Sequence, residues 1–226
     1  MSRSAELTPT VENYLKHLFH QQQQSPDGWL PTGRLAACVG VTPGTATTMV
    51  KTLAEAGLVD YEPRGGVRLT SAGERHALGV IRRHRLIELF LVRELDLDWS
   101  EVHDEAERLE HALSDKVLER IDRLLGYPQF DPHGDPIPRA GGHVPTTEYQ
   151  SLAECALHRA FVVARVTAQD AVFLQMIQRL HLVPGTRVVV EARDTAAQTV
   201  TVRPRSRPAL NLGLPAAAKI LVTAPG

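Results

Sequence analysis

The stretch Val41–Thr70, VTPGTATTMVKTLAEAGLVDYEPRGGVRLT, changes its hydrophobic period partway along. Thr42 and Pro43 start a helix, with a hydroxyl that can cap it and a proline at its first turn. Ala46, Val50 and Leu53 then recur at helical spacing, and Gly57 ends the run. From Leu58 the pattern is a strand, a turn at Pro63-Arg64-Gly65-Gly66, and a second strand. Upstream, a short helix over about Thr32–Val39 turns at Gly40. Before that, Thr8-Pro9 opens a helix carrying Val11, Leu15 and Leu18 that ends near the glutamines 21–24. Helix, helix, turn, helix, hairpin is the order of a winged helix-turn-helix, whose recognition helix enters the DNA major groove. Thr42, Thr45, Thr47, Thr48 and Lys51 on that helix, and Arg64 and Arg68 at the wing, are the candidate DNA contacts.

Beyond the hairpin, Ser71 and Glu74 have the spacing of a capping box for a long helix to about Leu95. Ser100 is the expected cap of a helix containing VHDEAERLEHALSD (Val102–Asp115), and Ser114 of one ending at Gly126. Tyr127–Pro145, YPQFDPHGDPIPRAGGHVP, is rich in proline and glycine and is expected to be an extended connector. The period then becomes strand-like in AFVVARV, TRVVVEARD and TVTVRP, with a helix in QDAVFLQMIQRLHLVPG and a turn and last strand in LNLGLPAAAKILV. Short strands around one helix point to a small β-barrel, and the whole chain to a mainly α protein with a small β part.

The 226-residue chain has a net charge of −1, but the charge is unevenly distributed. Leu30–Arg85 holds eight basic against four acidic residues, Glu88–Arg123 five against twelve, and His143 to the end nine against five. Three regions with different tasks follow from this. The two cysteines, Cys38 and Cys155, permit no disulfide framework or CxxC zinc knuckle. Cys38 is expected as a small core residue, and Cys155 as a core residue with a ligand role as its alternative. With no apolar run of bilayer length and no signal-like N-terminus, the expectation is a reduced, cytoplasmic protein that does not span a membrane.

Placed on a helix at about 100° per residue, His103, Glu107, Glu110 and His111 share one face beside the apolar stripe of Val102, Ala106, Leu109 and Leu113. His84 and Glu88, spaced i, i+4, share a face of the preceding helix. Two adjacent helices could bring all six together, and imidazole with several carboxylates suits Mn²⁺, Fe²⁺, Co²⁺, Ni²⁺ or Zn²⁺. His17, His20, His76, His133, His143, His158 and His181 fall outside this cluster and are expected to be ordinary. A di-iron carboxylate enzyme would need Glu-x-x-His motifs from separate helices. Arg108 and Ser100 stand three residues before His111 and His103, and no HExxH, GxSxG or P-loop pattern occurs. A carboxylate-histidine metalloenzyme is thus the competing class. A winged-helix regulator without metal is a third reading, which leaves the His/Glu face unexplained.

VENYL, VTPGTATTMVKTLAEAGLV, RRHRLIELFL, VHDEAERLEHALSD and HGDPIP together resemble the diphtheria toxin repressor and manganese transport repressor family of metal-dependent regulators. The resemblance is close over about residues 8–140 and looser beyond. It implies a winged helix-turn-helix DNA-binding domain over 1–74 and a helical metal-binding and dimerisation domain over 75–140. A linker and an SH3-like, FeoA-like barrel would occupy 141–226. It further implies a homodimer on a palindromic DNA operator of metal-uptake genes. Glu107, Glu110 and His111 match the family's activating site, with Asn13 at the position of a first-helix ligand. His84, Glu88 and His103 match the ancillary site, and Asp170 stands where the C-terminal domain can add a carboxylate. Iron-type members carry Cys at the position of Glu107. The glutamate favours Mn²⁺ over Fe²⁺, since carboxylate oxygen is harder than thiolate. Asn13 departs from the Met of iron types and the Asp of manganese types, and Lys16 stands where some manganese types have Glu.

Overall fold

The computed structural model describes residues 7–23, 25, 27–139, 141–142, 144 and 147–225. The connector positions 140, 143, 145 and 146, which include His143, lie outside the described residues, as does Gln24. The chain divides into two compact units, residues 1–83 with 138–143, and residues 84–137 with 144–226.

The first unit opens with α1 (Pro9–Gln22), α2 (Thr32–Val39) and α3 (Pro43–Glu55), followed by the hairpin β1 (Val59–Glu62) and β2 (Gly66–Leu69). Thr8 and Thr42 cap α1 and α3, each hydroxyl accepting from the amide three residues on, with proline in the first turn. These amides have no partner within the helix, so a hydroxyl there offsets a loss of about 1 kcal/mol. Tyr14, Leu15 and Leu18 of α1 pack with Leu35, Ala46, Val50, Leu53 and Val67 in one buried cluster. Leu30 and Val67 form an antiparallel bridge that fastens the wing to the chain before α2. Cys38 is exposed, against the expectation of a core position. The apolar stripe of α2 runs through Leu35 and Ala36, which leaves Cys38 on the outer face.

The helix α4 (Ser71–Leu95) carries residues of both units. Its cap is Thr70, not the expected Ser71: the Thr70 hydroxyl accepts from Gly73 N, and its carbonyl from Glu74 N. In a Thr-Ser pair either hydroxyl can cap. The Thr70 hydroxyl also donates to Gly57 O, which anchors it one residue earlier.

In the second unit, α5 (Val102–Leu109) is shorter than expected, and Ser100 does not cap it. The Ser100 hydroxyl donates instead to Asp98 Oδ1 at 2.6 Å. Ser114 caps α6 (Asp115–Leu124) as expected. The β part is a six-stranded antiparallel sheet in the order β3-β8-β4-β5-β6-β7. Its members are β3 (Gln150–Ser151), β4 (Ala160–Val166), β5 (Arg187–Asp194), β6 (Thr199–Pro204), β7 (Leu210–Gly213) and β8 (Ile220–Thr223), with α7 (Ala171–Arg179) and α8 (Leu214–Ala217) between strands. Val188, Val190, Val200 and Val202 alternate inward with Val163, Val166 and Val222, against Leu174 and Ile177 of α7. Cys155 lies in this core, as expected. Two pieces were absent from the sequence pattern: β3, which is only two residues long, and β7, a separate strand followed by a turn of helix.

The connector segment Asp131–Ile137 is tied to β4. Val166 N donates to His133 O at 2.8 Å, and Arg165 pairs with Asp135. Gly134 has φ +86°, and a Cβ there would lie 1.9 Å from Ala164 O, so only glycine fits. This seating places Asp131 and His133 beside α4.

Candidate metal centre

His84 and Glu88 are one turn apart on α4, so their side chains emerge on the same face. His103 and Glu107 bear the same relation on α5. Glu110 is the residue that ends α5, its amide still bonded to Ala106 O, and His111 follows in the turn. Both therefore lie beyond the regular helix on which the sequence placed them.

The side chains converge. His84 Nε2 lies 3.0 Å from Glu88 Oε1 and 3.1 Å from His103 Nδ1. Its other nitrogen, Nδ1, lies 2.7 Å from Glu110 Oε2 and 3.8 Å from Glu107 Oε1. His103 Nδ1 is 3.4 Å from Glu88 Oε1, and its Nε2 is 3.8 Å from Glu107 Oε1. His111 Nε2 is 3.2 Å from Glu110 Oε1. The activating and ancillary sets implied by the resemblance are thus contiguous, with His84 touching both. Glu88 and Glu110 are fully buried, while His103 and Glu107 are about one-third exposed.

A third group lies behind Glu88. One ligand atom from each of Glu88, Asp131 and His133 falls within 4.8 Å of the others, as in His84/Glu88/His103 and His84/Glu107/Glu110. Glu88 Oε2, Asp131 Oδ2 and His133 Nδ1 are all buried and lack a hydrogen-bond partner. Buried polar atoms are nearly always paired; here Asp131 Oδ2 has the Arg85 guanidinium at 3.7 Å and Glu88 Oε2 has His133 Nδ1 at 3.8 Å, and the three side chains together could hold a cation. His133 is fixed in its orientation. Its Nε2 lies 2.9 Å from Trp99 O, and its ring stacks on Trp99 at 5.4 Å, turning Nδ1 toward Glu88 Oε2 at 3.8 Å.

The electrostatics follow from these neighbours. Burial works to raise the Glu88 pKa, but the hydrogen bonds with His103 and His84 and the nearby His133 outweigh it and hold the carboxyl well below its usual range. Burial, with the charges of Asp135 and Glu88, pushes Asp131 well up. Burial works to lower the His133 pKa, but the neighbouring carboxylates of Glu88 and Asp131 prevail, raising it to about 9. A cation would displace that proton and satisfy the same carboxylates.

Asp131 and His133 escaped the sequence reading, which took His133 as ordinary and its segment as a connector. The available signal was the Asp-x-His spacing inside DPHGDPIP. Asp170 is exposed and caps α7, accepting from Phe173 N at 2.9 Å, and it belongs to none of the three groups. Asn13 lies on α1, half-buried, in the first unit.

Of the candidate DNA contacts, Thr42 caps α3, while Thr45, Thr48 and Lys51 are exposed along it and Thr47 is half-buried. Arg64 is exposed at the wing tip, with φ 72°. Arg68 is engaged by Asp60 at 2.9 Å and lies 4.7 Å over the Trp29 ring.

Three family models match in chain order: the iron-dependent repressor N-terminal DNA-binding domain over residues 6–67, the iron-dependent repressor metal-binding and dimerisation domain over 70–139, and the FeoA domain over 150–224. The iron-dependent repressor IdeR of Mycobacterium tuberculosis is 30% identical over 210 residues, covering 87% of this chain and 90% of that protein. The diphtheria toxin repressor of Corynebacterium glutamicum is 34% identical over 137 residues, 60% of this chain and 59% of that protein. Among solved structures, a manganese-dependent transcriptional repressor in complex with manganese is 44% identical, with a TM-score of 0.85 over 95% of this chain and 99% of that one. The manganese regulator SloR is 29% identical, with a TM-score of 0.73 over 97% of this chain and 100% of that one. Fold, matched domains and carboxylate-imidazole centre define a metal-dependent transcriptional repressor, not an enzyme. The chain belongs to the diphtheria toxin repressor family of iron-dependent repressors, which sets aside the metalloenzyme alternative.

Proposed function

We propose that this repressor is activated by Mn²⁺ and acts in the cytoplasm, as a homodimer on palindromic operators of metal-uptake genes. The observation that carries the ion assignment is the donor chemistry. The three groups consist of imidazoles and carboxylates with no thiolate, and glutamate stands at position 107. Hard oxygen donors with imidazole suit Mn²⁺. The similarity to a repressor solved with manganese supports this reading. Fe²⁺ is the alternative, supported by the similarity to IdeR.

In this reading Glu107, Glu110 and His111, with Asn13 retained from the resemblance, hold the activating ion. His84, Glu88 and His103 would hold a second, with Asp131 and His133 gathered at the other oxygen of Glu88 as further candidate donors. Asp170 is left as a helix cap. A bound cation would neutralise carboxylates that otherwise repel, and the side chains that would hold it come from both α4 and the α5 region. The N-terminal half of α4 contributes Ala77 to the core of the first unit, so fixing α4 biases the DNA-binding module. Metal thereby selects one conformation from a looser ensemble. Domain limits of 1–74, 75–140 and 141–226 accompany this reading. The six-stranded antiparallel sheet supports an SH3-like barrel as the C-terminal fold.

The test is an anaerobic titration of the metal-free protein with Mn²⁺ and with Fe²⁺, reading binding to its own promoter DNA at each step. Mn²⁺ acting at the lower free concentration supports the reading, Fe²⁺ acting first replaces the ion, and binding indifferent to either overturns metal control. In the same assay Ala at both Glu110 and His111 abolishes the response.

A further inference from the structure

On α3 the buried residues are Ala46, Val50 and Leu53. At about 100° per residue, Thr48 lies opposite that stripe, with Thr45 and Thr52 on one flank and Lys51 on the other. Thr45, Thr48, Lys51 and Thr52 are exposed. From Thr42 to Thr52 there is no Asn, Gln, Arg, Asp or Glu. Apart from Lys51, the side chains that read adenine or guanine by paired hydrogen bonds are therefore missing from these turns.

The threonine hydroxyls are already engaged along the helix. Thr48 Oγ1 donates to Gly44 O at 3.1 Å, and Thr52 Oγ1 donates to Thr48 O at 3.3 Å. Thr47 Oγ1 donates to Pro43 O at 2.8 Å, and Thr45 Oγ1 lies 2.9 Å from Thr42 Oγ1. A hydroxyl whose proton is committed to the i−4 carbonyl can only accept, and the methyl is left as the group free to make a new contact.

We propose that this repressor reads its operator through the methyl groups of Thr48, Thr45 and Thr52 packed against thymine C5-methyls, with Lys51 contributing a phosphate contact. The proposal rests on α3 being the recognition helix. It deepens that reading by naming the base feature recognised: thymine methyls in each half-site, with specificity carried by shape and not by paired hydrogen bonds.

The experiment uses the full-length protein loaded with Mn²⁺ and a duplex enriched by it from a random library. Each thymidine of the enriched half-site is replaced in turn by deoxyuridine, which lacks only the methyl. At the contacted positions this weakens binding about four-fold, the equivalent of one methylene-sized burial. Thr48→Ser keeps the hydroxyl and loses the methyl. It binds about four-fold more weakly and no longer distinguishes thymidine from deoxyuridine at one position. Thr48→Val keeps the methyl shape and stays within two-fold. Thr48 is exposed, so both variants are compatible with the fold. Indifference to deoxyuridine at every position overturns the proposal, as does Thr48→Val binding more weakly than Thr48→Ser. Failure to enrich any duplex overturns the recognition-helix reading and the proposal with it. Enrichment that is equal with and without Mn²⁺ overturns metal control alone.

Discussion

Glu88 reaches two groups of potential ligands with its two oxygens, Oε1 toward His84 and His103 and Oε2 toward His133. Glu88→Gln removes the charge and keeps the shape. It is expected to weaken Mn²⁺ binding at least about ten-fold, roughly 1.4 kcal/mol, in isothermal titration of the metal-free protein. A variant with unchanged affinity would remove Glu88 from the ligand set. His133 adds a pH dependence in the metal-free state. Its folded pKa of about 9 exceeds the ordinary value of 6.5, so its stabilisation is fully present below about pH 6.5 and is lost as pH rises through about 9. Urea midpoints of the metal-free protein should therefore decline across that window, and the decline should flatten in His133→Gln. At Gly134 both the positive φ and the closeness of Ala164 O exclude a side chain. Gly134→Ala should cost upwards of about 2 kcal/mol in urea unfolding, because relieving the clash moves the segment that carries Asp131 and His133.

At the scale of elements, the helix starts separate what a sequence can and cannot specify. Thr8-Pro9 and Thr42-Pro43 each leave one suitable hydroxyl, and both caps were legible. Thr70-Ser71 offers two hydroxyls. The choice is made by the second bond of Thr70 to Gly57 O, a contact 13 residues away in sequence. Thr70→Ala should cost about 1 kcal/mol and Ser71→Ala close to nothing, measured as shifts in thermal midpoint. The end of α5 is a similar case. The His/Glu spacing suited one helix through Asp115, but Ser114 caps α6 and the chain must turn before it. Ala112 N bonds to Leu109 O at 3.0 Å in that turn, and Glu110 and His111 are presented from the helix end. Glu110 still meets His84, since the last residue of a helix retains its direction within a turn.

For the whole molecule, metal control is a coupling between ion binding and DNA binding, and such coupling is reciprocal. Whatever factor saturating Mn²⁺ adds to operator affinity, saturating operator must add to Mn²⁺ affinity. Titrating metal with and without the enriched duplex measures both sides of the cycle, and unequal factors would mean that an additional linked equilibrium is present. Operator affinity should also fall steeply with salt where the exposed Lys51 and Arg64, both candidate contacts, reach phosphates. Arg64→Ala should reduce that salt dependence. Arg68→Ala should act mainly through the hairpin, because Arg68 is held by Asp60 and Trp29.

Local patterning determined the winged-helix order, the long α4, the strands β4, β5 and β6, and the six His and Glu candidates, whose side chains lie near one another in the structure. Each depends on periodicity or spacing within a few turns, which side-chain direction on a helix or strand enforces directly. Tertiary structure alone decided that His84 joins the two expected groups and that Asp131 and His133 face Glu88. It also decided that Asp170 is a cap and that Cys38 faces outward. The ligand atoms behind Glu88 come from residues 43 and 45 positions further along the chain. Only the seating of Gly134 on Ala164 and the pairing of His133 O with Val166 N bring them there, and no local periodicity encodes contacts between a loop and a distant strand.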